Sequence, residues 1–164
     1  MEKNLEFHIL TANFKDAEAL YHKIDFQQFH DQLISIAYDN RNILYYTFLH
    51  YLLMKEESAK LHNLAFSLFV HALTPIEGAY HCALYHAQRA IELTNEQDVG
   101  DLENLLFIYG VPDQVVSDEK ALETCHKILA LDPANKYAKE TLKKLTKKNK
   151  TSLNVLQRKL KKKF

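Results

Sequence analysis

The side chains able to do chemistry in this 164-residue chain are first of all its nine histidines. An imidazole can ligate a metal, relay a proton or change charge near neutral pH. In His81-Cys82-Ala83-Leu84-Tyr85-His86, Cys82 and His86 are four residues apart and on a helix would share one face, as two ligands of a zinc ion do. Completing the site would fall to His126 or His50, and no spacing selects either, so ordinary packing is the simpler account and no metal is expected. The number of histidines also raises a pH-sensing reading, which predicts a stability or oligomer change between about pH 7 and pH 5.5. Phosphate-cradling G-x-x-x-x-G-K and G-x-G-x-x-G loops, a G-x-S-x-G nucleophile turn and H-E-x-x-H are all absent from the sequence.

His30-Asp31 is a second candidate. The pair resembles the dipeptide after which the all-helical, metal-dependent His-Asp phosphohydrolases are named. That resemblance would imply His8 or His22, and Asp98 or Asp101, as further ligands. A dipeptide arises easily by chance in a chain with nine histidines, and an Asp near a helix start is favoured by the helix dipole in any case. The expectation is a chain without catalytic residues and without a cofactor.

The elements that must position any site are helical. Three Gly and three Pro are too few for the turns of a sandwich or barrel, while 47% apolar and 26% charged residues fit a globular, all-α chain. The formal charge of zero hides a split: the last 24 residues carry ten Lys or Arg and no acid, leaving 11 bases against 21 acids, a net of −10, in the first 140. An acidic body attracts basic partners and steers them at low salt. The basic tail lacks interleaved aromatics, so a specific nucleic-acid site is not expected there. Leu153, Leu156 and Leu160 share one face of it, which reads as an amphipathic capping helix. Cys82 and Cys125 without C-x-x-C spacing, an N-terminus without a secretory pattern, and a longest apolar run of Ile43 to Met54 suggest a cytoplasmic protein without a membrane span.

Residues 1–24 fit either a short strand or a first helical turn. Helices are expected from Phe26 to Ala37, from a turn at Tyr38-Asp39-Asn40 to Lys55, and from Ser58 to Leu73. Thr74-Pro75-Ile76-Glu77 has the pattern of a capping box opening the next helix, which reaches Leu93. Further helices are expected at Asp101–Tyr109, from Ser117 or Asp118 to Leu131, at Lys136–Thr146 and at Ser152–Lys163. The helix ending at Lys55 is apolar or aromatic nearly all round and should be central, with Tyr hydroxyls and His50 as polar handles.

One spacing recurs. Leu61-x2-Leu64-Ala65-x2-Leu68 returns as Leu102-x2-Leu105-Leu106-x2-Tyr109, and each is followed by a helix with small or apolar residues at matching intervals. These are Ala83, Ala87 and Ala90 in one case and Ala121, Cys125 and Ile128 in the other. From about Ser58 to Leu145 this pattern resembles the tetratricopeptide repeat, best in ALETCHKILALDPAN, where Ala121, Cys125, Ile128 and Pro133 fall in register. The chain departs from the family in lacking Trp, in holding Ala65 and Leu106 at the helix A Gly positions, and in placing Asn95 where the first turn proline belongs.

The resemblance implies antiparallel helix pairs stacked as a short right-handed superhelix in a single domain. Residues 1–57 would form an N-terminal helical cap, 58–145 the repeats and 146–164 the basic capping helix. It further implies a groove that binds a basic or amphipathic protein or peptide through His62, Phe66, Phe69, Val70, Glu103 and Phe107. Phe66 and Phe69 can instead pack against the preceding helix. A sharper version of the same reading is an immunity-type protein that neutralises a basic toxin such as a nuclease through its acidic body.

Overall fold

The structure, a computed structural model, describes the backbone of residues 4–161 and the side chains of residues 4–148. Among these residues there are nine α-helices, one π-helical turn and no strand. The chain forms two compact units that meet in sequence at Glu96 and Gln97.

The first unit holds α1 (Leu5–Leu10), α2 (Phe14–Tyr21), α3 (Phe26–Asn40), α4 (Leu44–Lys55), α5 (Ala59–Ser67) with its π turn (Leu68–Ala72), and α6 (Ala79–Leu93). The ambiguous N-terminal stretch is therefore helical. Its first helix is opened by Asn4, whose side chain accepts from the Phe7 N–H. Helix α3 runs through the expected turn to Asn40 and is ended by Arg41 in the left-handed conformation (φ 52°). The following helix has Ile43 at its N-cap, without a side-chain cap, and Asn42 just before it accepts from the Leu44 N–H at 2.9 Å.

As its composition implies, α4 is central: it packs on α1, α2 and α5 and buries Tyr45, Phe48, Leu49 and Leu52. The Tyr45 hydroxyl meets Asn40 and the Tyr51 hydroxyl donates to Glu18, whereas His50 is exposed. Around Phe48 the rings of Phe14 and Phe29 lie with centroids 5.7 and 6.2 Å away, in the tilted and edge-on arrangements that ring quadrupoles favour.

Ser58 opens α5 as expected. Its last turn widens, with the Leu73 N–H reaching back five residues to the Leu68 carbonyl. The Thr74 capping box does not form. Two successive turns occupy 74–78, and α6 begins only after Gly78, whose φ of +79° no helix can contain. Helices α5 and α6 pack face to face through Leu61, Leu64, Ala65 and Leu68 against Ala83, Ala87 and Ala90, all buried. The small residues let the two backbones approach.

The second unit holds α7 (Val99–Tyr109), α8 (Asp118–Leu131) and α9 (Lys136–Lys161). Asp98 and Ser117 cap the first two by accepting from the N–H groups of Asp101 and Lys120. Leu102, Leu105, Leu106, Ala121, Cys125, Ile128, Ala138 and Leu145 make its core. The Asp132-Pro133 turn between α8 and α9 is short, so these packed neighbours reverse direction. The two final helices expected from sequence are one. Nothing between Thr146 and Ser152 removes a backbone donor or forces a positive φ, and Lys, Asn, Thr and Ser cost a helix only a few tenths of a kcal/mol each. The Leu153, Leu156 and Leu160 side chains of the proposed capping face lie outside the described residues.

Candidate functional site

Four of the six side chains expected to line a binding groove are inside the first unit. His62, Phe66, Phe69 and Val70 are between 2% and 8% exposed. The cause is the pair of helices that precedes the repeat-like segment: α3 packs on the π turn and α4 on α5, and the Phe69 ring lies 4.7 Å from that of Tyr46 on α4. For Phe69, packing against the preceding helix is what the fold adopts, and Phe66 is buried as well.

His62 has a polar role there. Its Nδ1 faces Nδ1 of His86 at 2.8 Å, and both rings are essentially excluded from solvent. On the far side of His62, Nε2 meets the Glu57 carboxylate at 3.1 Å. On the far side of His86, Nε2 meets the Tyr46 hydroxyl at 3.2 Å. Arg89 closes the chain, its Nε and a terminal nitrogen holding Glu57 at 2.7 and 2.9 Å while the other terminal nitrogen holds Glu92. Six side chains from α4, the 56–58 loop, α5 and α6 thus form one continuous polar line from the buried imidazoles out to the surface. Phe69 stacks on His86 from one side, and Tyr85 stands edge-on to both imidazoles.

Burial disfavours a charged imidazole, and the two rings oppose each other's charge. Burial, reinforced by the neighbouring His62 and His50, pushes the His86 pKa down to about 4. Burial also lowers that of His62, against the opposing pull of Glu57. Glu57 itself is held down at about 2, chiefly by Arg89 and then by His62. At neutral pH the line therefore carries two neutral rings between a carboxylate and a phenol.

The other sequence candidates are scattered. Cys82 is exposed while His86 points inward, so the two do not face a common ion. No group of three or more His, Cys, Asp or Glu able to hold a metal occurs among the described residues. His30 and Asp31 bond to each other at 2.9 Å with Asp31 exposed and tied also to Gln27. His8 is buried with its Nδ1 3.5 Å from Asp16, His22 lies on the surface near Glu18, and Asp98 is spent on its cap. Asp101 is buried in the second unit.

The remaining two expected contact residues do stand on a surface. Glu103 is half-buried and Phe107, one turn on along α7, is 44% exposed. Asn135 fixes this face: its Oδ1 accepts from the Ala138 N–H at the start of α9, and its Nδ2 donates to Glu103 at 2.8 Å. Two residues later Tyr137 is 39% exposed, and partial burial, followed by the nearby Glu103 charge, raises its phenol pKa. Sequence reading missed Tyr137 and Asn135, although the N-cap pattern Asn135-x-x-Ala138 was there to be read. Comparison of the chain with protein-family models, with curated proteins and with solved structures finds no match.

Proposed function

We propose that this chain is a non-catalytic protein-binding module of tetratricopeptide-like helix pairs, and that Glu103, Phe107 and Tyr137 on α7 and α9 contact a basic or amphipathic segment of its partner. The observation that carries this reading is the face itself. Two aromatic side chains are exposed beside a carboxylate that Asn135 holds in one orientation. Aromatic anchors supply most of the energy of such contacts, and a fixed acid sets register against Lys or Arg. The helix pairs α5–α6 and α7–α8, each packed through the recurring small and apolar positions, support the repeat-like part of the reading. The net charge of −10 over the first 140 residues supports a basic partner.

The test is selection of peptides from a library of fragments encoded by the native host against the full chain, followed by titration with the variants Phe107→Ala, Tyr137→Ala and Glu103→Lys. Basic, amphipathic peptides whose affinity falls tenfold or more with each variant, and falls with added salt, are the expected result. Selected peptides that bind the Phe107→Ala and Glu103→Lys variants undiminished, or a library that yields no binder, would overturn it.

A further inference from the structure

The His62–His86 contact has a proton capacity fixed by its geometry. A carboxylate can only accept, so the His62 Nε2 facing Glu57 carries a hydrogen. In neutral His62 the Nδ1 is then bare and accepts from the Nδ1–H of His86. The Nε2 of neutral His86 is bare in turn and accepts from the Tyr46 O–H. Every bond in the line is thus satisfied with one polarity, from the phenol toward the carboxylate.

One added proton fits. It enters at His86 Nε2, which then donates to the Tyr46 oxygen, and the Tyr46 hydroxyl changes from donor to acceptor without any helix moving. A second does not fit. The one bare ring nitrogen left is Nδ1 of His62, and it already faces an N–H with 2.8 Å between the nitrogens. Two N–H groups cannot point at each other across that distance. The rings sit on α5 and α6, so the second proton can be held only if these helices part.

We propose that the His62–His86 pair is an acid-released clasp between α5 and α6, closed while the pair holds no more than one extra proton and opened by the second. This device is independent of the partner-binding reading, which concerns α7 and α9. The charged and titratable groups around it belong to every neighbouring segment. Tyr46 and His50 come from α4, Glu57 from the loop, and Tyr85, Arg89 and Glu92 from α6 with Cys82 one turn before His86, while the π turn presents the uncharged ring of Phe69. Arg89 holds Glu57 by two bonds and sets its own positive charge against an imidazolium at His62, while burial opposes that charge most.

The direction follows from linkage. Burial lowers both imidazole pKa values from the ordinary 6.5, so the unfolded or opened chain binds more protons than the closed one. Closure is at full strength above about pH 6.5 and is lost as the pH falls toward 4.

Hydrogen exchange of the full-length chain at pH 7 and pH 5, corrected for intrinsic rates, reads the opening directly. Amides of α5 and α6 should open on the order of tenfold more often at pH 5, with those of α7 and α8 unchanged as an internal reference. The double variant His62→Gln, His86→Phe should lose this pH dependence. Nitrogen-detected NMR of the wild-type rings at pH 7.5 should show hydrogen on Nε2 of His62 and on Nδ1 of His86, and it decides the matter if the double variant does not fold. Equal protection of α5 and α6 at both pH values, the same acid response in the double variant, or the opposite tautomers would each overturn the clasp.

Discussion

Arg89 grips Glu57 through two guanidinium nitrogens, and its charge works against the pull that Glu57 exerts on a protonated His62. Replacing Arg89 by Gln leaves the Glu57 carboxylate facing His62 alone. The His62 pKa should then rise, and the acid-induced loss of stability should shrink, because the difference between folded and unfolded chain narrows. NMR titration of the imidazole and urea unfolding at pH 7 and pH 5 measure both. A His62 pKa that falls in Arg89→Gln would contradict the pairing.

Phe48 has no exposed surface and is the ring on which Phe14 and Phe29 converge. Phe48→Ala removes those contacts and leaves a cavity between α2, α3 and α4, which should cost about 3–5 kcal/mol in urea unfolding. Loss of under 1 kcal/mol would mean that this core is loosely packed.

At Gly78 an added methyl group would meet nothing within 4 Å, yet φ is +79°. Steric room is therefore not the issue, and backbone strain is. Gly78→Ala should lower stability by about 1 kcal/mol, read as a shift of the denaturant midpoint at constant slope.

The two cysteines should separate cleanly in a thiol-labelling experiment. Cys82 is exposed and should react within the dead time of ordinary reagents, whereas Cys125 is fully buried in the second unit and burial raises its thiol pKa. Full labelling of Cys125 should require denaturant. Rapid modification of both in buffer alone would show that α7 and α8 open readily.

Much of the fold was legible because local signals were strong. Ser58 and Ser117 cap helices where their positions before apolar runs imply, and the recurring Leu and Ala positions are the buried faces of α5–α6 and α7–α8. The helix starts that failed, at Thr74 and after Thr146, failed for backbone reasons. Gly78 sits four residues inside the first, and no breaker separates the halves of the second. The site was less legible. His62 was placed on an open face by the helix A register, but α3 and α4, which cover that face, lie outside the repeating segment. The contact between His62 and His86 spans 24 residues, and Glu57, Arg89 and Tyr46 join it from three different segments. No spacing rule links such positions; only tertiary packing does.

The π turn at Leu68–Ala72 closes its hydrogen bond over five residues, where the α-helix before it uses four. Four of its five side chains, Leu68, Phe69, Val70 and Ala72, are buried and the turn packs on both α3 and α6, so dropping one residue there would swing Phe69 out of its seat against Tyr46 and His86. The width of that turn is thus a fixed dimension of the chain, set by the two neighbours it must reach at once.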